Sequence, residues 1–356
     1  MELTKKGLWE GVIREYREFL PEIKDEAIVS LKEGNTPLIE AVNFSDIIGD
    51  VRLLFKYEGL NPTGSFKDRG MTFALSKAKE AGADAVICAS TGNTSAAAAA
   101  YAAKAGMKAY VLVPEGGVAL GKISQAMIYG ATIVEISGSF DDALDAVKEI
   151  GDKYPVSIVN SINPYRVEGQ KTAAFEVCEH IGYAPTFHFL PIGNAGNITA
   201  YWKGYKEYKE KGITSNLPKM MGFQAEGAAP IVKGEIIKNP KTVASAINIG
   251  NPANWQGALN AKQESGGVID SVTDEEILEA YRLVASREGV FCEPASASSI
   301  AGLIKMKKEG LVNDGDTVVC TLTGNGLKDP DNAIKNADKP QKSSAKVSDI
   351  VALMGF

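Results

Sequence analysis

The chain has 356 residues, 45% hydrophobic and 23% charged, with 38 Lys and Arg against 44 Asp and Glu for a net charge of −6. That length suggests about two domains of ~100–200 residues each, and each is long enough to bury its own core. A mildly acidic chain without a basic stripe excludes a nucleic-acid footprint, and no apolar run reaches the ~20 residues that cross a bilayer.

The most apolar stretch, Ser95–Ala105, is Ala-rich and short. The N-terminal MELTKKGLWEGVIREYREF lacks the apolar region of a secretory signal. Cys88, Cys178, Cys292 and Cys320 are not at metal-ligand spacing; they read as reduced core thiols of a cytoplasmic protein. His188 alternates with apolar residues in TFHFL and reads as a strand residue. With only His180 besides, a histidine-based triad or metal site has almost no material.

In chain order, short β-rich runs alternate with helical ones. Strands are expected at Val51–Tyr57, Asp84–Ser90, Ala109–Pro114, Thr132–Ile136, Val156–Asn160 and Thr186–Ile192. Helices are expected at Phe66–Ala81, Thr94–Ala105, around Gln125–Tyr129, and at Asp141–Lys153, Thr172–Ile181 and Asn197–Lys211. Beyond Lys211 the rhythm loosens. A helix returns at Asp274–Arg287, capped by Thr273, and a last strand at Thr317–Thr323. The polar stretch after Asn336 reads as a tail ending in the apolar VALMGF. The strand runs are nearly all apolar, as a parallel sheet covered on both faces requires. The class is therefore α/β, doubly wound, with ligands expected beyond the carboxyl ends of the strands.

Four post-strand segments carry candidate chemistry. In NPTGSFKDRG (Asn61–Gly70), Pro62 and Gly64 make a turn and Ser65 is a candidate N-cap, which puts Lys67 in the first helical turn. The electropositive helix end and burial both favour a free amine there, as a Schiff-base lysine needs; the alternative is a solvated surface lysine. STGNTS (Ser90–Ser95) and GNAGN (Gly193–Asn197) are strand-to-helix turns suited to an anion, or plain capped turns. NSINPYR (Asn160–Arg166) offers an amide, a hydroxyl and a guanidinium to an anion, or a surface salt bridge. Gly116–Lys122 spells G-x-x-x-x-G-K, but Ile123 follows where a nucleotide-binding loop needs Ser or Thr.

Together these motifs, with EPASA and LTGNGLKD, resemble the fold type II (tryptophan-synthase-like) pyridoxal-phosphate enzymes, and among them the short bacterial and archaeal threonine synthase family. The resemblance runs from about Gly34 to Asn332, with six motifs in the family's order. It implies two doubly wound, mainly parallel domains: a large one from 1–70 and 161–336, a small one from 71–160, and a tail from 337–356. It implies pyridoxal 5'-phosphate on Lys67, with Asn93 at the ring hydroxyl, Gly193, Asn194, Ala195, Gly196 and Asn197 around the cofactor phosphate, and Thr323 at the pyridine nitrogen. Ser90, Thr94, Asn160, Ser161 and Arg166, with Asn194, would cradle the phosphate of O-phospho-L-homoserine, and L-threonine and phosphate would be the products. A neutral hydroxyl at Thr323 should leave the pyridine nitrogen mostly unprotonated. A homodimer is expected, with neither nucleic acid nor membrane as partner.

Threonine or serine dehydratase and cysteine synthase share this scaffold. The dehydratases, whose substrates carry no phosphate, have no use for Asn160, Ser161 and Arg166 as an anion site. A phosphate-ligand binding protein without turnover would need no lysine at position 67.

Overall fold

A computed structural model describes residues 8–116 and 120–356. Ten strands form two sheets among these residues: β1 (Leu38–Glu40), β2 (Arg52–Tyr57), β3 (Ala85–Ala89), β4 (Lys108–Pro114), β5 (Thr132–Ile136), β6 (Ser157–Ile158), β7 (Phe187–Pro191), β8 (Lys219–Ala225), β9 (Val268–Val272) and β10 (Thr317–Leu322). The larger sheet has the order β1-β2-β10-β7-β8-β9, and the smaller β5-β4-β3-β6. Every pairing is parallel except that of the edge strand β1 with β2. The expected α/β class, mainly parallel in two sheets, is what forms.

The unbroken apolar runs follow from burial on both faces. Along β10, Val318 and Cys320 enter one core with Phe55, Phe189 and Phe223. Val319 between them enters the opposite core with Leu54, Leu190 and Met220. The smaller sheet repeats this, Val86 and Cys88 facing one cluster and Ile87 and Ala89 the other. At ~1.5–3 kcal/mol for each large aliphatic side chain fully buried, two covered faces supply most of the driving force. His188 is the strand residue its alternation suggests: it is buried in β7, hydrogen-bonds Tyr205 and Thr321, and is pushed down to about 3 by burial, so it stays neutral.

Several elements differ from expectation. The helix expected at Thr172–Ile181 begins at Pro164, with Asn163 as its cap. Its first half buries Arg166, Gly169, Gln170 and Lys171, so no apolar period announces it. Strands β8 and β9 and the helices Trp255–Ser265 and Pro294–Lys308 lie beyond Lys211, where the rhythm loosens, and the three-residue edge strand β1 lies before the first expected strand. Close packing explains two of them. A Cβ on Gly222 of β8 would lie 2.2 Å from Ile192 Cδ1, and one on Gly302 would lie 2.3 Å from the Phe223 ring. Thr273 caps its helix as expected, in a reciprocal box with Glu276. Residues 337–356 are exposed throughout, although Val347–Met354 is helical. Residues 117–119 of the G-x-x-x-x-G-K segment lie outside the described residues. Among the described residues no helix is long and apolar enough to cross a membrane.

Candidate active site

Every candidate segment leaves the carboxyl end of a strand. The turn to Lys67 follows β2, Ser90–Asn93 follows β3, Asn160–Asn163 follows β6, Gly193–Ala195 follows β7 and Thr323–Asn325 follows β10. A surface hollow of about 550 Å³ lies elsewhere, at the amino ends of β2 and β10, lined by Val51, Arg52 and Gly315.

Lys67 is the first residue of the helix Lys67–Glu80. Ser65 is not its cap residue: the cap position is Phe66, without a side-chain cap bond, and Ser65 Oγ accepts only a long 3.4 Å bond from the Lys67 N–H. The helix start is instead fastened to β10. Phe66 N–H donates to the Thr323 carbonyl at 2.9 Å, and Asn325 N–H to the Gly64 carbonyl at 2.9 Å. Lys67 is thereby held beside Thr323, its Nζ 4.1 Å from the Phe66 ring centre. Burial and then the Arg166 charge lower the amine to about 7, against an opposing pull from Glu293. Much of it is therefore neutral near pH 7.

Asn93 opens the helix Asn93–Ala105, with Ser90 and Thr94 half-exposed around it. Its Nδ2 donates across the cleft to Glu293 Oε2 at 3.0 Å, and Thr323 Oγ1 donates to Glu293 Oε1 at 2.9 Å. Ser296 Oγ lies 3.0 Å from the same threonine oxygen. Glu293 is a residue of this cluster with Asn93 and Thr323 that sequence reasoning left unassigned. Its signal was the EPASA motif, a carboxylate directly before a proline that starts a helix.

The Gly193–Asn197 turn leads into the helix Gly196–Glu210. Ala195 adopts a left-handed conformation, φ 61°, at a cost of ~1–3 kcal/mol for a non-glycine residue. The first backbone N–H beyond it with a carbonyl partner is that of Thr199, bonded to Ala195 O. The N–H groups of the turn are thus left to an anion at the helix end. The buried Asn197 Nδ2 has no partner. Asn194 is already engaged, its Oδ1 accepting from Ala253 N–H at 3.3 Å and its carbonyl from Asn254 N–H at 3.1 Å. A neutral lysine, an anion-binding turn and an orphaned amide fit pyridoxal phosphate, with its aldehyde and phosphate ends.

Arg166 is buried at 2% exposure in the first turn of its helix. Among the described residues its guanidinium makes one hydrogen bond, Nη1 to Val159 O at 3.4 Å, and Nε has no partner. Burial brings its pKa down to about 10, with only the Cys88 thiol pulling the other way, so it remains a cation at neutral pH. Such a charge without a counter-ion among the described residues is costly, and a guanidinium in that state suits an anion. Asn160 is partly engaged: Oδ1 accepts from Ala89 N–H at 3.0 Å and Nδ2 donates to Ala89 O at 2.9 Å. Half of its hydrogen-bonding capacity is thus committed to joining the ends of β6 and β3. Ser161 is half-buried beside it.

A buried network braces the site from below. Arg69 binds Glu58 through Nε and Nη2 at 2.7 and 2.8 Å, and Glu176 through Nη1 and Nη2 at 2.6 Å each. Lys56 Nζ lies 2.6 Å from Glu176. Burial lowers Lys56 against the pull of Glu176, whereas Arg69 is held well above its ordinary value once the two carboxylates outweigh its burial; Arg69 is the permanent cation of the network.

The family model "Pyridoxal-phosphate dependent enzyme" matches residues 29–324. A threonine synthase of Synechocystis sp. is 60% identical over 351 residues, covering 98% of this chain and 91% of that protein. One of Halalkalibacterium halodurans is 59% identical over 93% of each chain, and one of Methanocaldococcus jannaschii 53% identical over 94% of this chain and 84% of its own. Among solved structures, maize serine racemase superposes with a TM-score of 0.74 at 20% identity over 97% of both chains. Tomato threonine deaminase gives 0.75 at 21% identity over 91% of this chain and 92% of its own; at such identity the likeness is one of fold. The chain belongs to the pyridoxal-phosphate dependent enzymes and, within them, to the threonine synthases.

Proposed function

We propose that this enzyme takes O-phospho-L-homoserine as its substrate and releases L-threonine and phosphate, with Lys67 as its proton-transfer group and Arg166 as the main grip on the substrate phosphate. The observation that carries this reading is Arg166 itself, a buried guanidinium with no carboxylate partner among the described residues, close enough to Lys67 to lower its pKa. A dehydratase acting on an unphosphorylated amino acid would bury that charge for nothing.

Lys67 would carry the cofactor, Asn93 and Thr323 would face its ring, and Gly193, Asn194, Ala195, Gly196 and Asn197 would hold its phosphate. When bound, the cofactor supplies an electron sink for the bond broken at Cα. The Lys67 amine, lowered to about 7 by burial and Arg166 so that a substantial share is neutral near pH 7, takes the Cα proton and can return it. Arg166 stabilises the charge gathering on the departing phosphate in a site where water is excluded. Ser90, Thr94 and Ser161 offer hydroxyls around that anion. Asn160 and Asn194 shape the cradle more through the backbone they fasten than through free amides. Holding leaving group and base in one frame supplies the positioning on which the rate depends.

The same reading divides the chain into a large domain of 1–70 and 161–336, a small domain of 71–160 and a tail of 337–356, a division that the two sheets support. A cytoplasmic location is supported by four free, buried cysteines, and a homodimer by the family resemblance. The deciding experiment incubates the purified enzyme with O-phospho-L-homoserine, and separately with L-threonine. Equimolar phosphate and threonine from the first, with little 2-oxobutyrate from the second, is the expected result. Brisk 2-oxobutyrate without phosphate release would make it a dehydratase.

A further inference from the structure

We infer that Glu293 is a positioning residue for the cofactor ring, its carboxylate tying Asn93 on one side of the cleft to Thr323 on the other. The inference rests on the reading above that Asn93 and Thr323 face that ring.

Glu293 occupies the cap position of the helix Pro294–Lys308 without capping it by its side chain, so the carboxylate is not spent on the helix. Its backbone is pinned, its N–H donating to the Gly324 carbonyl at 2.9 Å. The side chain is 4% exposed and forms no ion pair within 4.0 Å among the described residues. Its two oxygens each accept one side-chain hydrogen bond, from Asn93 Nδ2 at 3.0 Å and from Thr323 Oγ1 at 2.9 Å. Gly324 makes room for it: a Cβ there would lie 2.7 Å from both Cδ and Oε1 and 2.9 Å from Oε2. A buried carboxylate without an ion pair is expensive, and this one is directed at two side chains from opposite sheets.

Two consequences follow. The rotamers of Asn93 and Thr323 are fixed by a common acceptor, so contacts to two edges of one flat ring are set together. The Thr323 hydroxyl also ceases to be an isolated neutral partner, because a carboxylate stands behind it and raises the proton affinity of whatever that hydroxyl meets. The charged and titratable groups around Glu293 are Lys67 at the start of the helix Lys67–Glu80, Lys328 after β10, and Tyr57 and Cys292 beside it. Burial raises the Glu293 carboxyl above its ordinary value, against the hydrogen bonds from Asn93 and Thr323 and the charges of Lys328 and Lys67, which favour the ionised form.

The test compares the parent holoenzyme with Glu293→Gln, Asn93→Ala and Thr323→Ala, reading the cofactor's visible band and its dissociation constant by dialysis. Glu293→Gln is expected to shift the band and to weaken cofactor binding on the order of tenfold, the scale of one charge-assisted hydrogen bond, with Glu293→Asp recovering part of the loss. An unchanged band and affinity in folded Glu293→Gln, beside altered ones in Asn93→Ala and Thr323→Ala, would overturn the inference alone. Unchanged bands in all three would remove both the reading beneath it and the inference. Should Glu293→Gln not fold, Gly324→Ala presses on the same carboxylate and must shift the band; a folded Gly324→Ala with the parent's band would equally overturn the inference.

Discussion

Gly169 lies directly against the carbonyl oxygen of Arg69: a Cβ on it would sit 1.9 Å from that oxygen and 3.0 Å from Gly70 Cα. The helix carrying Lys67 therefore crosses the helix carrying Arg166 backbone to backbone. One step on, Gly204 does the same, its Cβ falling 2.5 Å from Lys171 O, which brings in the helix that follows the Gly193–Asn197 turn. Three helices that bear the amine, the guanidinium and the anion-binding turn are stacked with nothing between them.

Gly169→Ala has no flexible neighbour to push aside. It is expected to cost at least the ~1–3 kcal/mol of an overpacked core and to pry the two helices apart. Since a shift of about 1 Å in a reacting group can cost ~100-fold in rate, activity should fall far more than partial unfolding explains. Thermal melts and kcat on the folded fraction check this; a variant with the parent's melting temperature and rate would contradict the crossing.

The amine of Lys67 should titrate near 7 in the cofactor-free protein, because burial and then Arg166 depress it. The neutral form is the reactive one, so labelling by an amine reagent should rise as pH increases through that value. Arg166→Met removes a repelling cation and should move the rise to higher pH. Glu293→Gln removes an attracting carboxylate and should move it to lower pH. Mass-spectrometric quantification of labelling at Lys67 against pH reads both, and the opposite signs separate electrostatics from general loosening.

Asn160 and Arg166 should separate in a different measurement. Asn160→Ala leaves the buried Ala89 N–H and carbonyl without their partners, at ~1–3 kcal/mol, so its main effect should be on urea stability. Arg166→Met should raise KM for the phosphorylated substrate and lower kcat while sparing stability, since among the described residues the guanidinium makes only one long hydrogen bond. A large KM effect with unchanged stability in Asn160→Ala would make it a direct phosphate ligand.

What was legible in the sequence followed from local rules. Strands such as β7 and β10 are apolar because both faces are covered, and turns such as Gly193–Ala195 must leave N–H groups free. Glu293 was not legible as a partner of Asn93, because their contact joins residues 200 positions apart and only the folded chain brings them together. Nor was the start of the Arg166 helix, where polar residues are buried and the usual pattern inverts. The fastening of Asn160 to Ala89 was hidden for a related reason: an amide after a strand looks free until the neighbouring strand end is seen to engage it.

The buried ion network supplies a last test. Burial raises the Glu176 carboxyl, but Arg69 and Lys56 more than offset it and hold it down at about 2. A folded pKa below the ordinary 4.5 means that the unfolded chain binds a proton first as pH falls. The stability Glu176 contributes is therefore complete above about 4.5 and drains away as pH falls towards 2. Glu176→Gln leaves Arg69 and Lys56 facing Glu58 alone, and breaking a buried pair on one side costs ~3–5 kcal/mol. The variant should thus be markedly less stable than the parent at pH 7. It should lose less further stability between pH 5 and pH 3, because the group responsible is gone. Urea unfolding across that range reads both effects, and parallel acid profiles would show that Glu176 is not the carboxylate through which acid weakens the floor beneath Lys67.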